Sequence, residues 1–270
     1  MLYDIALFTD EKQMNRKDRK ARIIPMLRWS ARIAAVVIVA ISFGFLFKNY
    51  QYEKSACQQT ITVPAGQRAQ ITLADGTKVW LNSKSTLTYA SNFGRKERNV
   101  ELDGEAYFEV AKDKDKPFIV KTKEQSIEAL GTKFNVSAYP TDSLLTTTLL
   151  EGSVLLTTQN LLHPTVLKPN EQFVYNKRTR SALLQQVDAN RFVSWTTGYY
   201  YFPEQSLEAI LYRLSHVYGV QFTVKSEALK RRTFTGTFYR GQSIKDIMEI
   251  IHLSIPVRYK IDDHHVTISE

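Results

Sequence analysis

Cysteine is almost missing from this chain: Cys57 is the only one, so there is no intrachain disulfide and no cysteine-rich metal site. Catalytic signatures are missing as well. The sequence has no G-x-S-x-G elbow, H-E-x-x-H helix, P-loop or dinucleotide-binding glycine pattern. None of the five histidines (His163, His216, His252, His264 and His265) has a second strong donor at metal-ligand spacing. The adjacent pair His264-His265 would point to opposite faces of a strand. No enzyme activity, cofactor or metal is therefore expected. Concentrated charge is also missing. The net charge is +9, and residues 1–32 carry eight Lys/Arg against four Asp/Glu, while in the remainder both signs are interspersed. A nucleic-acid-binding domain would gather its charge in a patch, so no direct nucleic-acid contact is expected.

Long apolar runs are absent with one exception, Trp29 to Phe47 (WSARIAAVVIVAISFGFLF). Its uncharged part begins at Ile33, and with Trp29, Ser30 and Ala31 the run approaches the ~20 residues a bilayer requires. Arg32 can snorkel from the basic edge. The excess of Lys/Arg before the run places the N-terminus in the cytoplasm and the rest outside. A cleaved signal peptide fits less well, because the n-region is long and no small-x-small site follows. In Lys54-Ser55-Ala56-Cys57, the lysine spoils a lipoprotein-type cleavage box. The expected organisation is a basic tail over 1–28, a transmembrane helix over 29–47, a linker over 48–60, a β domain over 61–190 and an α/β domain over 195–270.

From Ile61 to about Asp188 the apolar period is two. In Val100–Val110, residues Val100, Leu102, Ala106, Phe108 and Val110 fall on one side, and Glu101, Asp103, Glu105, Tyr107 and Glu109 on the other. That is a half-buried strand, with Gly104 at a bulge or a close backbone approach. The three acids read as its solvated face. Ala74-Asp75-Gly76-Thr77 lies between two such runs and signals a hairpin. Trp80 opposes Val79 and Leu81, as a second layer or an interface. Short strands are further expected near Phe118–Val120, Ser126–Leu130, Phe134–Ala138, Thr146–Leu150, Ser153–Thr157 and Glu171–Tyr175. This spacing predicts an all-β sandwich or a β-solenoid-like domain.

After Asp188 the period changes. Ser206 can cap a helix with Leu207, Ile210, Leu211, Leu214 and Val217 inward and Gly219 as its stop, followed by a strand at Val220–Val224. Thirty-seven residues later the plan returns: Ser206 aligns with Ser243, Ile210 with Ile247, Leu214 with Ile251 and Phe222 with Tyr259. Strands over Tyr199–Phe202 and Thr233–Tyr239 precede the two helices. This predicts a small α/β domain of two β-α-β repeats, closed by a strand at His265–Ser269. Tyr199, Tyr200 and Tyr201 should alternate between core and surface. A free sheet edge here could accept a strand from another protein.

The blocks over 61–190 resemble the periplasmic domain of FecR-type anti-sigma regulators. They are Val63–Gln67, Leu73–Asn82 (with Asp75, Gly76, Trp80 and Asn82), Ser85–Tyr89, Arg98–Val110 (with Gly104, Glu105 and Phe108), Pro117–Val120, Leu130–Val136 (with Gly131, Phe134 and Asn135) and Leu150–Val154 (with Gly152). Trp195, Gly198, Phe202 and the duplicated unit resemble the C-terminal domain of Bacteroidetes members. The resemblance implies a single-pass inner-membrane regulator. Its partners would be an extracytoplasmic-function sigma factor on the cytoplasmic side and the signalling domain of a TonB-dependent outer-membrane receptor in the periplasm. Family members carry a longer cytoplasmic region than residues 1–28. A truncated start, a tail that folds on its partner and a loss of sigma binding all stay open. The residues by themselves also leave open a membrane-anchored glycan- or protein-binding structural module.

Overall fold

The computed structural model describes residues 29, 33–47, 57–95, 97–159, 161–239 and 241–270. The chain divides into two units, residues 1–56 and 57–270. In the first, residues 33–47 are helical with exposed side chains. Among the described residues no helix is long and apolar enough to cross a membrane. The expected span includes residues 30–32, which lie outside the described residues, as do the basic tail and residues 48–56.

The second unit has two lobes. The first lobe is one sheet of thirteen strands: β1 (Gln58–Thr62), β2 (Ala69–Thr72), β3 (Lys78–Leu81), β4 (Thr86–Ala90), β5 (Arg98–Glu109), β6 (Phe118–Lys121), β7 (Gln125–Ala129), β8 (Lys133–Ala138), β9 (Leu144–Glu151), β10 (Val154–Thr158), β11 (Thr165–Leu167), β12 (Glu171–Asn176) and β13 (Ser181–Gln186). Pairing is antiparallel throughout except between β5 and β6. It thus lacks the parallel stacking of a solenoid. Residues 58–60, placed in the linker by the sequence, belong to β1. They are polar and carry no alternation, and backbone pairing with β4 holds them.

β5 organises the lobe. Its first half pairs with β4 and β6, and its second half with β3 and β8. The change of partners falls at Gly104, whose φ is +106°. A Cβ there would lie 2.5 Å from Ser85 Oγ and 2.6 Å from Ser85 Cα, so the close approach expected at this glycine is present and only glycine fits it. The Ser85 hydroxyl bridges the same turn, accepting from Glu105 N at 2.8 Å and donating to Glu105 O at 3.0 Å. Inward residues of β5 join Leu81, Leu87, Phe118, Ile127, Phe134, Leu149 and Phe173 in one core. Phe108 and Phe134, cross-strand partners, stack with centroids 5.1 Å apart.

The second lobe follows two 3-10 turns, Ala189–Phe192 and Ser194–Thr197. It comprises β14 (Tyr199–Ser206), α1 (Leu207–Tyr218), β15 (Gln221–Val224), a short helix α2 (Glu227–Arg231), β16 (Thr233–Tyr239), α3 (Ile244–Ser254), β17 (Arg258–Asp262) and β18 (His265–Ser269). Ser206 and Ser243 cap α1 and α3 through their hydroxyls, and Asp246 completes a capping box at the second. The strands of one repeat do not pair with each other. β14 pairs with β16, its counterpart in the other copy, and β15 and β17 flank β18. Each repeat is therefore incomplete alone, and the duplicated plan is closed by exchange between its copies. α1 and α3 bury Ile210, Leu211 and Leu214, and Ile247, Met248 and Ile251, in one core with Tyr200, Phe202, Phe234 and Phe238.

The joint between the two lobes

Trp80, Tyr107 and Leu150 of the first lobe pack in the core of the second. This corrects the reading of β5's outer face as solvated. Glu101 and Asp103 are exposed, but Tyr107 is buried and Glu105 half-buried, because the second lobe covers the C-terminal half of that face. Alternation along a strand reveals two faces; it does not reveal that both are covered. Trp80 and Tyr107 meet with centroids 5.2 Å apart. The hydroxyl of Tyr107, whose ionisation is disfavoured first by burial and then by Glu109, donates to Glu109 Oε1 at 3.2 Å.

At the centre of the joint five residues close a circuit. Arg68, just ahead of β2, donates through Nε to Asn82 Oδ1 at 3.3 Å. Asn82, just after β3, donates through Nδ2 to Glu105 Oε2 at 2.7 Å. The other oxygen, Oε1, accepts from Asn135 Nδ2 of β8 at 2.9 Å. Asn135 Oδ1 accepts from Trp195 Nε1 at 3.3 Å. Arg68 Nη1 donates to the Trp195 carbonyl and closes the ring. Each asparagine faces the carboxylate with its NH2 and a donor with its oxygen, the division of labour its amide permits. The Arg68 guanidinium also lies 5.6 Å from the Trp195 ring centroid and 4.9 Å from that of Tyr200. Trp195 is fully buried. Here β2, β3, β5, β8 and the segment leading into the second lobe are held by charge-assisted and amide hydrogen bonds.

A second contact lies beside the circuit. Asp142, in the β8–β9 loop, receives His216 Nε2 at 3.4 Å and the Tyr212 hydroxyl, both from α1. The His216 ring lies 4.2 Å from that of Tyr139, and the Tyr139 hydroxyl donates to Ser83 O at 2.8 Å. Burial pushes the Tyr139 and Tyr212 hydroxyls up, keeping both as donors. Burial works against the charge on His216, but bonds to Asp142 and to the Tyr212 carbonyl hold its pKa above the ordinary value. Burial likewise opposes ionisation of Asp142, and the His216 and Tyr212 bonds bring its pKa below the ordinary one.

Of the thirteen residues the sequence singled out, Trp80, Asn82, Glu105, Asn135 and Trp195 meet at this joint. The others serve the lobes. Asp75 and Gly76 make the β2–β3 turn, where Asp75 Oδ2 pairs with the buried Arg98 at 3.1 Å. Phe108 and Phe134 fill the first core, and Gly104 marks the change of partners. Gly131 and Gly152 occupy the β7–β8 and β9–β10 loops, and Gly198 caps the second 3-10 turn. Arg68, Tyr139, Asp142, Tyr212 and Arg213 escaped the sequence reading, since single polar residues in loops or on a helix carry no periodic signal. Among the described residues no cluster of His, Cys, Asp and Glu could hold a metal.

Hydrogen bonds and buried aromatic rings thus join a β-rich lobe to a small α/β lobe, and comparison with known proteins says which class of protein this is. Residues 59–155 match the model described as FecR protein, and residues 199–268 match FecR, C-terminal. The chain belongs to the FecR family, whose members are regulatory, anti-sigma proteins and not enzymes. None of the curated proteins matches it. It is similar to two crystal structures of a proposed anti-sigma factor from Parabacteroides distasonis ATCC 8503. One, at 1.65 Å, has a TM-score of 0.69 and 29% identity over 78% of this chain and 98% of that one. The other, at 2.50 Å, has a TM-score of 0.69 and 28% identity over 79% and 99%.

Proposed function

We propose that this FecR-family chain is a single-pass inner-membrane regulator with its N-terminus in the cytoplasm and residues 57–270 in the periplasm. It relays a signal from the signalling domain of a TonB-dependent receptor to an extracytoplasmic-function sigma factor. The anchor in this reading is the Trp29–Phe47 run, and the asymmetry of Lys/Arg supports its orientation. The observation that carries the proposal is the five-residue circuit. It holds the second lobe to strands β3, β5 and β8 of the first, so an event at the second lobe acts on the lobe nearer the anchor in sequence. A sensor requires that linkage; two independent modules on a string would not have it.

The test is a capture experiment with the cognate sigma factor and receptor signalling domain. The full chain should retain the sigma factor, and deletion of residues 1–28 should abolish that without weakening capture of the signalling domain. Failure of the full chain to retain either partner overturns the proposal. Glycan binding by residues 57–270 without receptor binding would point to a structural envelope module.

A further inference from the structure

A cleft of about 400 Å3 opens between the segment after β13 and strand β14. Its walls include Asp188, Arg191, Phe192, Tyr201, Gln205 and Arg213. Two of its three charges are spent on each other, since Asp188 Oδ2 pairs with Arg191 Nε at 3.2 Å. Asp188 also caps the first 3-10 turn, accepting from Asn190 N at 3.3 Å. Arg213 is different. Among the described residues its guanidinium makes one hydrogen bond, from Nη2 to the Arg191 carbonyl at 3.2 Å, and no carboxylate lies within ion-pair distance. Its guanidinium carbon sits 5.9 Å from the Tyr200 ring centroid and 5.8 Å from that of Phe202. Burial disfavours its charge, and Glu105 of the joint favours it.

A guanidinium has five N–H donors in a planar fork that matches a carboxylate. Stacking on aromatic rings strips part of its hydration and leaves the fork oriented. The single net positive charge of the cleft suits a monoanion; a phosphate dianion would meet Asp188 with little compensation. Tyr199 and Tyr239, 52% and 51% exposed, extend an aromatic surface beside Tyr201. Tyrosine and arginine together are the chemistry of protein contacts. Strand addition is interrupted at the bulge of β14 between Phe202 and Gln205, where Pro203 lacks an N–H and Glu204 turns the backbone to φ +45°.

We propose that this cleft binds the carboxylate of an acidic side chain on a protein partner, with Arg213 as its counter-ion and Phe192 and Tyr201 as its walls. The charge of Glu105 in the circuit also acts on this guanidinium, so occupancy of the cleft changes the field at the joint. The inference rests on the reading of the second lobe as partner-binding, and its test needs neither receptor nor sigma factor.

The probe is a fluorescently labelled, end-blocked peptide Ala-Tyr-Glu-Tyr-Ala titrated into the detergent-solubilised full chain, with the Gln-containing peptide and free glutarate as controls. The Glu peptide should bind about tenfold more tightly than its Gln counterpart, and Arg213→Gln should erase that difference. Tyr201→Ala changes an exposed side chain and should weaken the Glu peptide without lowering the melting temperature. It keeps the proposal testable if Arg213→Gln folds poorly. Equal binding of the two peptides, no binding of either, or binding of glutarate alone would overturn it.

Discussion

Arg98 and Glu105 are both charged residues of β5 drawn away from water, and they are held in opposite ways. Arg98, at the start of the strand, meets an ion of opposite sign. Asp75 Oδ2 lies 3.1 Å away, and the carbonyls of Lys116, Ala111 and Asp113 accept from it at 2.7, 2.8 and 3.2 Å. Every partner is local to the first lobe. Glu105, seven positions on, has both side-chain oxygens held by neutral amides, and the nearest link in the circuit to a cation runs through Asn82 to Arg68. An ion held by a counter-ion and three carbonyls is fixed. A carboxylate balanced by amides has partners that themselves answer to Trp195 and Arg68, so it registers changes in the neighbouring lobe. One half of β5 is a staple and the other a coupling.

The comparison can be broken at either end. Arg98→Ala leaves Asp75, still bonded by Thr77, without its counter-ion and three carbonyls without their donor, and should cost about 3–5 kcal/mol in urea-induced unfolding, with the first lobe lost. Trp195→Ala empties the joint and should cost about 3 kcal/mol, splitting one unfolding transition into two. Glu105→Gln presents an NH2 to the donors of Asn82 or Asn135. It should cost about 2 kcal/mol and raise hydrogen exchange in both lobes near the joint while the Arg98 end of β5 stays protected.

The smallest effect is on pH. His216, with its pKa raised in the folded protein, contributes stability that is complete below its ordinary value of 6.5 and is lost as pH rises through the folded value. Asp142, with its pKa lowered, contributes stability that is present above its ordinary 3.8 and is lost as pH falls through the folded value. The α1–loop contact should therefore be tightest between about pH 4 and 6.5 and weaken above by about 1 kcal/mol. Melting temperatures of the wild-type chain and of His216→Gln across that range check this, because the variant should lose the alkaline fall.

Much of the architecture was legible in the sequence. Period-two alternation marked most strands of the first lobe, including β5, and the Asp75-Gly76 hairpin followed from turn chemistry. The repeat at 206 and 243 announced both caps and both helices. β1, β4, β11 and β13 were missed, because Gln58–Thr62 is mostly polar, Thr86–Ala90 sets only Leu87 and Tyr89 beside threonines, Thr165–Leu167 is three residues long and Ser181–Gln186 is exposed throughout. The pairing of β14 with β16 was not legible either, since periodicity describes a strand and not its partner. At the joint the sequence identified five residues but could not bring them together. Glu105 looked like the solvated side of a strand because alternation shows neither the amides of Asn82 and Asn135 that hold its carboxylate nor the second lobe that leaves it half-buried.

The central claim is that the circuit makes the two lobes one body. Hydrogen exchange of the full chain, followed along a urea series by mass spectrometry, measures this through peptides from β12 in the first lobe and α3 in the second. The account predicts a single midpoint for both peptides in the wild-type chain and two separated midpoints in Trp195→Ala. Separate midpoints in the wild-type chain, or one shared midpoint in the variant, would contradict it.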